Sequence, residues 1–179
     1  MIMRPDMSEY RAMAEDALRL SRATGTRRVV SNRGPHHAQA VTDVLVSNAE
    51  ASLSFLCRSF SAEVFDTARI EEFLDKPGTR LNVLLDGEIG KGCPTALAGL
   101  SEHMAGDDPR LQVRRLAHAS PIHFGIADGR DTRIETDVAS RKATVVFGDA
   151  AFAAAAQQRF KSLWDAARKL TAAEIAPAA

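Results

Sequence analysis

The feature that most limits what this chain can become is the stretch Pro121-Ile122-His123-Phe124-Gly125-Ile126-Ala127-Asp128-Gly129, followed by Thr132-Arg133-Ile134-Glu135. An apolar run that ends at Asp-Gly and resumes as a second run reads as a β-hairpin, because Asp-Gly supplies the positive φ angles that tight hairpin turns require. Two strands joined this way are marginal alone. The rest of the chain must supply a sheet for them.

The flanking sequence does so by alternating helix and strand. Residues 8–23 open with Ser8 and are rich in helix formers, and 36–51 carries Ala40, Val41, Val44, Leu45 and Ala49 at helical spacing. Ser52–Cys57 alternates like a strand, Thr67–Lys76 returns to the helical period before Pro77-Gly78, and Arg80–Gly87 is an apolar run suited to the middle of a sheet. A further helix is expected over Thr95–Met104 and strands over Leu111–Leu116 and Ala143–Phe147. Gly148-Asp149 caps a last helix with an apolar stripe of Phe152, Ala156, Phe160, Leu163, Trp164, Ala167 and Leu170. Helical crossovers give parallel strands and tight turns give antiparallel ones, so the expected class is α/β, a mixed β-sheet sandwiched by helices. The organisation reads as an N-terminal helix and basic loop over 1–35, an α/β domain over 36–170, and a flexible tail over 171–179.

Composition narrows the function classes. The chain has 179 residues, enough for a real core, and its 23 Lys and Arg balance 23 Asp and Glu. No global field draws it to nucleic acid or an anionic membrane, and nucleic-acid binding by a local patch is not favoured. No apolar run is long enough to span a membrane. Cys57 and Cys93 form neither a metal spacing nor a disulfide framework, which suits a reduced cytoplasm. The glycine-rich run Asp86-Gly87-Glu88-Ile89-Gly90-Lys91-Gly92 lacks the spacing of a phosphate loop and reads as a surface turn. His36-His37 reads as the start of a helix and Cys93-Pro94 as another, neither as a metal or thiol site.

From about Ala38 to Leu170 the layout resembles a single phospholipase D-like domain, the half-site architecture of that superfamily. The resemblance rests on the order of elements, on Ile126-Ala127-Asp128-Gly129 at the end of the hairpin strand, and on Phe160-x-x-Leu163-Trp164 in the last helix. In such domains a His-x-Lys-x(4)-Asp signature carries a histidine that attacks phosphorus and a lysine that holds phosphate oxygens. With Asp128 at the aspartate position, Pro121 falls on the histidine and His123 on the lysine. Proline cannot be a nucleophile, so the resemblance implies a domain that has lost its usual covalent route.

The candidate catalytic residues are therefore His123, Asp128 and His118, with Arg133, Glu135, Arg28 and Arg33 as candidate ligand contacts. Carboxylates at 128, 135 and 137 beside His123 would repel phosphate; a divalent metal there is the less favoured reading, and no cofactor is expected. The leading expectation is a non-catalytic module acting through a protein partner or as a homodimer, as single-motif relatives do. The alternatives are a phosphodiesterase or nuclease rebuilt around His123 and Asp128, and a phosphate-ligand or nucleotide sensor.

Overall fold

Residues 7–89 and 94–176 are described by a computed structural model. Their elements run α1 (Met7–Thr24), β1 (Arg28–Arg33), α2 (Pro35–Asn48), β2 (Ser52–Cys57), α3 (Thr67–Asp75) and β3 (Arg80–Leu85). A 3-10 helix (Ala96–Met104) follows, then β4 (Leu111–Arg115), β5 (His123–Ala127), β6 (Asp131–Asp137), β7 (Lys142–Phe147), α4 (Ala150–Ala166), β8 (Arg168–Lys169) and α5 (Ala172–Ile175). The strands form one mixed sheet in the order β1-β7-β6-β5-β2-β3-β4-β8.

The connections dictate the directions. β2, β3 and β4 are parallel, because α3 and the 3-10 helix carry the chain back between them. β5, β6 and β7 are antiparallel through tight turns, and β5 pairs antiparallel to β2, which joins the two halves of the sheet. Alternation along the strands then serves two layers. Leu53, Phe55, Leu81, Val83, Leu85, Leu111 and Val113 pack with residues of α1, α2, α3 and the 3-10 helix. Leu56, Leu84, Phe124 and Ile126 face the other way, against Ala153 and Phe160 of α4.

The expected hairpin is present, with β5 and β6 paired from His123↔Glu135 to Ala127↔Asp131. Asp128 and Gly129 both take positive φ, 50° and 63°, and Arg130 N donates to Ala127 O at 3.1 Å, closing a tight turn within the connection from Ala127 to Asp131. Asp128 does more than turn the chain. Its Oδ2 accepts the Glu50 amide and its Oδ1 accepts the Ala51 and Ser52 amides, each at 2.9 Å, while Asp128 N donates to Ser52 O at 2.9 Å. The carboxylate thus clamps the hairpin turn to the start of β2.

Three expectations change. Residues 24–35 are not a loop: Arg28–Arg33 is an edge strand on β7, with Val30 and Asn32 buried and the Asn32 amide donating to Arg141 O. The arginines hid it, because an edge strand can carry charges without burying them. The helix expected at 95–104 is 3-10 rather than α, and Gly99, a poor helix former, sits in its middle. The tail expected to fray is docked as far as it is described. Thr171 and Glu174 form a capping box, and Ile175 is fully buried beneath it. Accordingly α4 stops at Ala166, and Leu170 reaches the core from beyond β8 rather than along a helical stripe. α1 and β1 share the core and the sheet of residues 36–170, through Tyr10, Ala14, Leu18 and Val30. The Cys93 helix start and the Gly90–Gly92 part of the glycine-rich turn lie outside the described residues.

Replacing Asp128 with alanine removes three charge-assisted hydrogen bonds and puts a β-carbon without polar compensation at positive φ. The expected loss is about 2–4 kcal/mol in urea unfolding, and Asp128→Asn, which tolerates the backbone angle, should retain part of it.

Candidate functional site

At the end of the sheet opposite Asp128, a cavity of about 740 Å³ opens among the C-terminal ends of β2 and β3, the N-terminal end of β5 and the C-terminal half of β6. Cys57, Asp86, His123, Arg133 and Glu135 lie in its lining, together with Arg58, Ser59, Ser61, Glu88 and Arg141. Pleating explains the convergence. His123 stands directly opposite Glu135, and Arg133 lies two residues along β6, opposite Gly125, so all three side chains share the face covered by α1 and α2. Gly125 bears no side chain because a β-carbon there would meet the Phe55 ring at about 2.4 Å. Its absence leaves room for the Phe55 ring, which meets Phe60 and Phe65 edge-on.

The buried charges are paired with one another. His123 Nε2 lies 3.0 Å from Asp86 Oδ2, with side-chain exposures of 7% and 1%, and the same Oδ2 accepts the Ser120 amide at 2.6 Å. Burial opposes ionisation of Asp86 more than any other single influence. The His123 hydrogen bond, the Ser120 amide and the charges of His123 and Arg58 together outweigh it, so its carboxyl is held below its ordinary range. Arg133 Nη2 approaches Glu135 Oε2 at 2.7 Å, both side chains being 8% exposed. Among the described residues, Arg133 Nε and Asp86 Oδ1, both sealed from solvent, have no hydrogen-bond partner. Burial first, with the charges of Asp86 and Glu135 adding to it, pushes the Cys57 thiol up to about 12, which leaves no thiolate at neutral pH.

Of the residues singled out in the sequence, the fold brings together His123, Arg133 and Glu135. Asp128 is at the far end of β5, roughly 16 Å from His123 along the strand, with its oxygens committed to backbone amides. His118 is exposed in the loop between β4 and β5 and does not line the cavity. Arg28 pairs with Phe147 at the Asp128 end of the sheet, and Arg33 ends β1 with a side chain outside the described residues. Asp137 ends β6 and accepts the Ser140 amide, and Asp128 lies at the opposite end of the sheet, so the carboxylates at 128, 135 and 137 do not meet. His37 stacks on Tyr10 at 4.0 Å in place of a solvated position. Asp86, Cys57 and Arg58 were missed. The signal was positional: they end or follow parallel strands, where α/β sheets place their crevices.

No protein-family model matches this sequence, and no curated protein matches it at sequence level. Folds do match. The structure of TrmBL2, an archaeal chromatin protein with a novel mode of DNA binding, superposes with a TM-score of 0.63 at 20% identity, over 92% of this chain and 64% of that one. Nuc from Salmonella typhimurium, a phospholipase D family member, gives 0.62 at 14% identity over 82% of this chain and 99% of its own. NucT from Helicobacter pylori gives 0.58 at 13% identity over 81% and 100%. The fold is phospholipase D-like. At these identities the likeness is one of architecture, and it spans under two thirds of TrmBL2 and nearly all of Nuc. Within this phospholipase D-like fold, no helix among the described residues is long and apolar enough to cross a membrane.

Because the folded Asp86 carboxyl is held below its unfolded value, it stabilises the protein above about pH 4, and that contribution is lost as the pH falls through the folded value. Urea midpoints between about pH 6 and about pH 2, roughly two units on either side of the ordinary carboxyl value, should fall more steeply for the native protein than for Asp86→Asn. Equal slopes would place the acid sensitivity elsewhere.

Proposed function

We propose that this protein is a non-catalytic phospholipase D-like module that works by binding, to a ligand, a partner or a second copy, and not by covalent phosphodiester chemistry. The observation that carries the proposal is the internal pairing of the cavity's ionisable groups. Covalent transfer in this superfamily needs an unencumbered histidine beside a lysine. Here Pro121 takes the first position of the signature and His123 the second, and no lysine lines the cavity among the described residues.

His123 does not replace the missing nucleophile well. Nε2 is engaged by a carboxylate sealed from solvent, and the side chain is itself buried. A phosphate drawn toward it would meet Asp86 and Glu135 within the same lining, and unlike charges would have to be supplied to offset them. Cys57 offers no alternative, since its thiol stays protonated. The His123–Asp86 pair has the form of a base and its orienting acid, which is the one observation favouring a rebuilt phosphodiesterase.

The two readings separate in one assay. The protein is incubated with bis(p-nitrophenyl) phosphate and with single- and double-stranded nucleic acid, with and without divalent metal, beside His123→Ala. No turnover above buffer is expected. Turnover that disappears in a folded His123→Ala protein would establish the rebuilt enzyme instead.

A further inference from the structure

The β8 edge of the sheet carries an arrangement of charge that folding does not call for. β8 pairs with β4 so that Lys169 stands directly opposite Arg114 and Arg168 directly opposite Arg115. Like charges facing each other across a ladder destabilise it, and here both positions of the ladder are of one sign. A charge on an edge strand does block unwanted strand addition, but either residue of β8 supplies that alone. The arginines opposite are left without a reason. In the sequence the two basic pairs are far apart, and only the sheet brings them into one cluster.

Little of this charge is neutralised. Glu174 takes Arg168 at 2.7 Å, and on α4 Asp165 takes Lys161 at 2.7 Å. Arg114 donates to Trp164 O at 2.8 Å and lays its guanidinium 4.7 Å from the centre of the Trp164 ring. Among the described residues, Arg114, Arg115 and Lys169 have no carboxylate partner. Arg114 is in register with Leu84, which faces α4, so Arg114 and Lys169 lie on that face and Arg115 and Arg168 on the other. The cations therefore surround the edge.

Beside them, between α4 and β3, runs a groove of about 440 Å³ that shares no lining residue with the cavity described above. Asn82, Gln157, Gln158, Lys161 and Trp164 line it, and Trp164 joins it to the cluster through Arg114. The three carboxamides have no side-chain hydrogen bond among the described residues. Each offers a donor and an acceptor in one plane, which matches the edge of a nucleobase and brings no charge to repel a phosphate. An acidic peptide fits less well. β8 has two residues, too short an edge to add a strand, and the groove presents carboxamides where a docked helix needs a row of apolar anchors.

We infer that the groove and the β4–β8 edge together bind single-stranded nucleic acid. Bases lie against Asn82, Gln157 and Gln158, and phosphates meet Arg114, Arg115 and Lys169. The inference adds a ligand class to the binding reading above, at a site separate from the cavity.

The test is fluorescence anisotropy with a labelled single strand of roughly 12 nucleotides, its duplex and polyglutamate, at about 50 mM salt and above. The single strand should bind more tightly than the duplex, with log K falling against log salt at a slope of about −2, as three phosphate contacts on a single strand require. The double variant Arg115→Gln, Lys169→Gln should weaken binding by about tenfold and reduce the slope to about −0.7. Its urea midpoint should equal or exceed that of the native protein, because repulsion across the ladder is relieved. Gln158→Ala should weaken binding and leave the slope as it was, and His123→Ala should bind like the native protein. Absence of binding, binding that the double variant leaves unchanged, or a preference for the duplex overturns the inference. So does loss of binding in a folded His123→Ala protein, which would put the strand in the cavity. Equal capture of polyglutamate overturns it in favour of an acidic protein partner.

Discussion

The carboxylate of Asp128 ties the sheet together. Its two oxygens accept three consecutive amides at the head of β2, and its own amide returns a hydrogen bond to Ser52. β2–β5 is the seam between the parallel and antiparallel halves, and a one-residue slip there would turn every side chain of the hairpin to the wrong face. Gly125 against Phe55, His123 opposite Glu135 and the division of the core into two layers all depend on that register. The residue that most resembles a remnant of catalytic machinery is, by its contacts, an anchor.

At the other end of the same strands the charged groups face inward and pair with each other. Asp86 leaves β3 and meets His123 entering β5; Arg133 and Glu135 are two apart on β6 and share a face. Each pair removes from the cavity a charge that a phosphate ester would otherwise use or resent. What remains is a chamber lined by Arg58, Arg133 and Arg141 against Asp86, Glu88 and Glu135, with an aromatic wall of Phe55, Phe60 and Phe65. These properties follow from the pairing and not from the loss of any one residue.

Much of the fold was legible because its elements carry strong local signals. Asp128-Gly129 announced the hairpin, Ser52–Cys57 matched β2 residue for residue, and Asp149 did cap the last helix, accepting the Phe152 amide. β1 was not legible, since two valines between arginines are weak evidence against a charged loop, and only pairing with β7 makes them a strand. In the site, His123, Arg133 and Glu135 could be found because one hairpin holds all three at a period of two. Asp86 could not be assigned to them, because its place beside His123 is fixed by β2 lying between β3 and β5, a fact of sheet order that sequence spacing does not encode. Asp128 was recognised by type and placed in the wrong role, for the same reason: nothing local in the sequence points to the amides of residues 50–52.

The central claim is that the buried ionic groups of the cavity serve each other and the fold. The most direct measurement is a double-mutant cycle on unfolding free energy with Arg133→Met, Glu135→Leu and the double variant. Either single change strands a buried charge and should cost about 3–5 kcal/mol, whereas the double variant should lie well above the sum, close to the native protein. Additive costs, or single variants as stable as the native chain, would mean that these residues are held for something other than each other, and the account would be wrong.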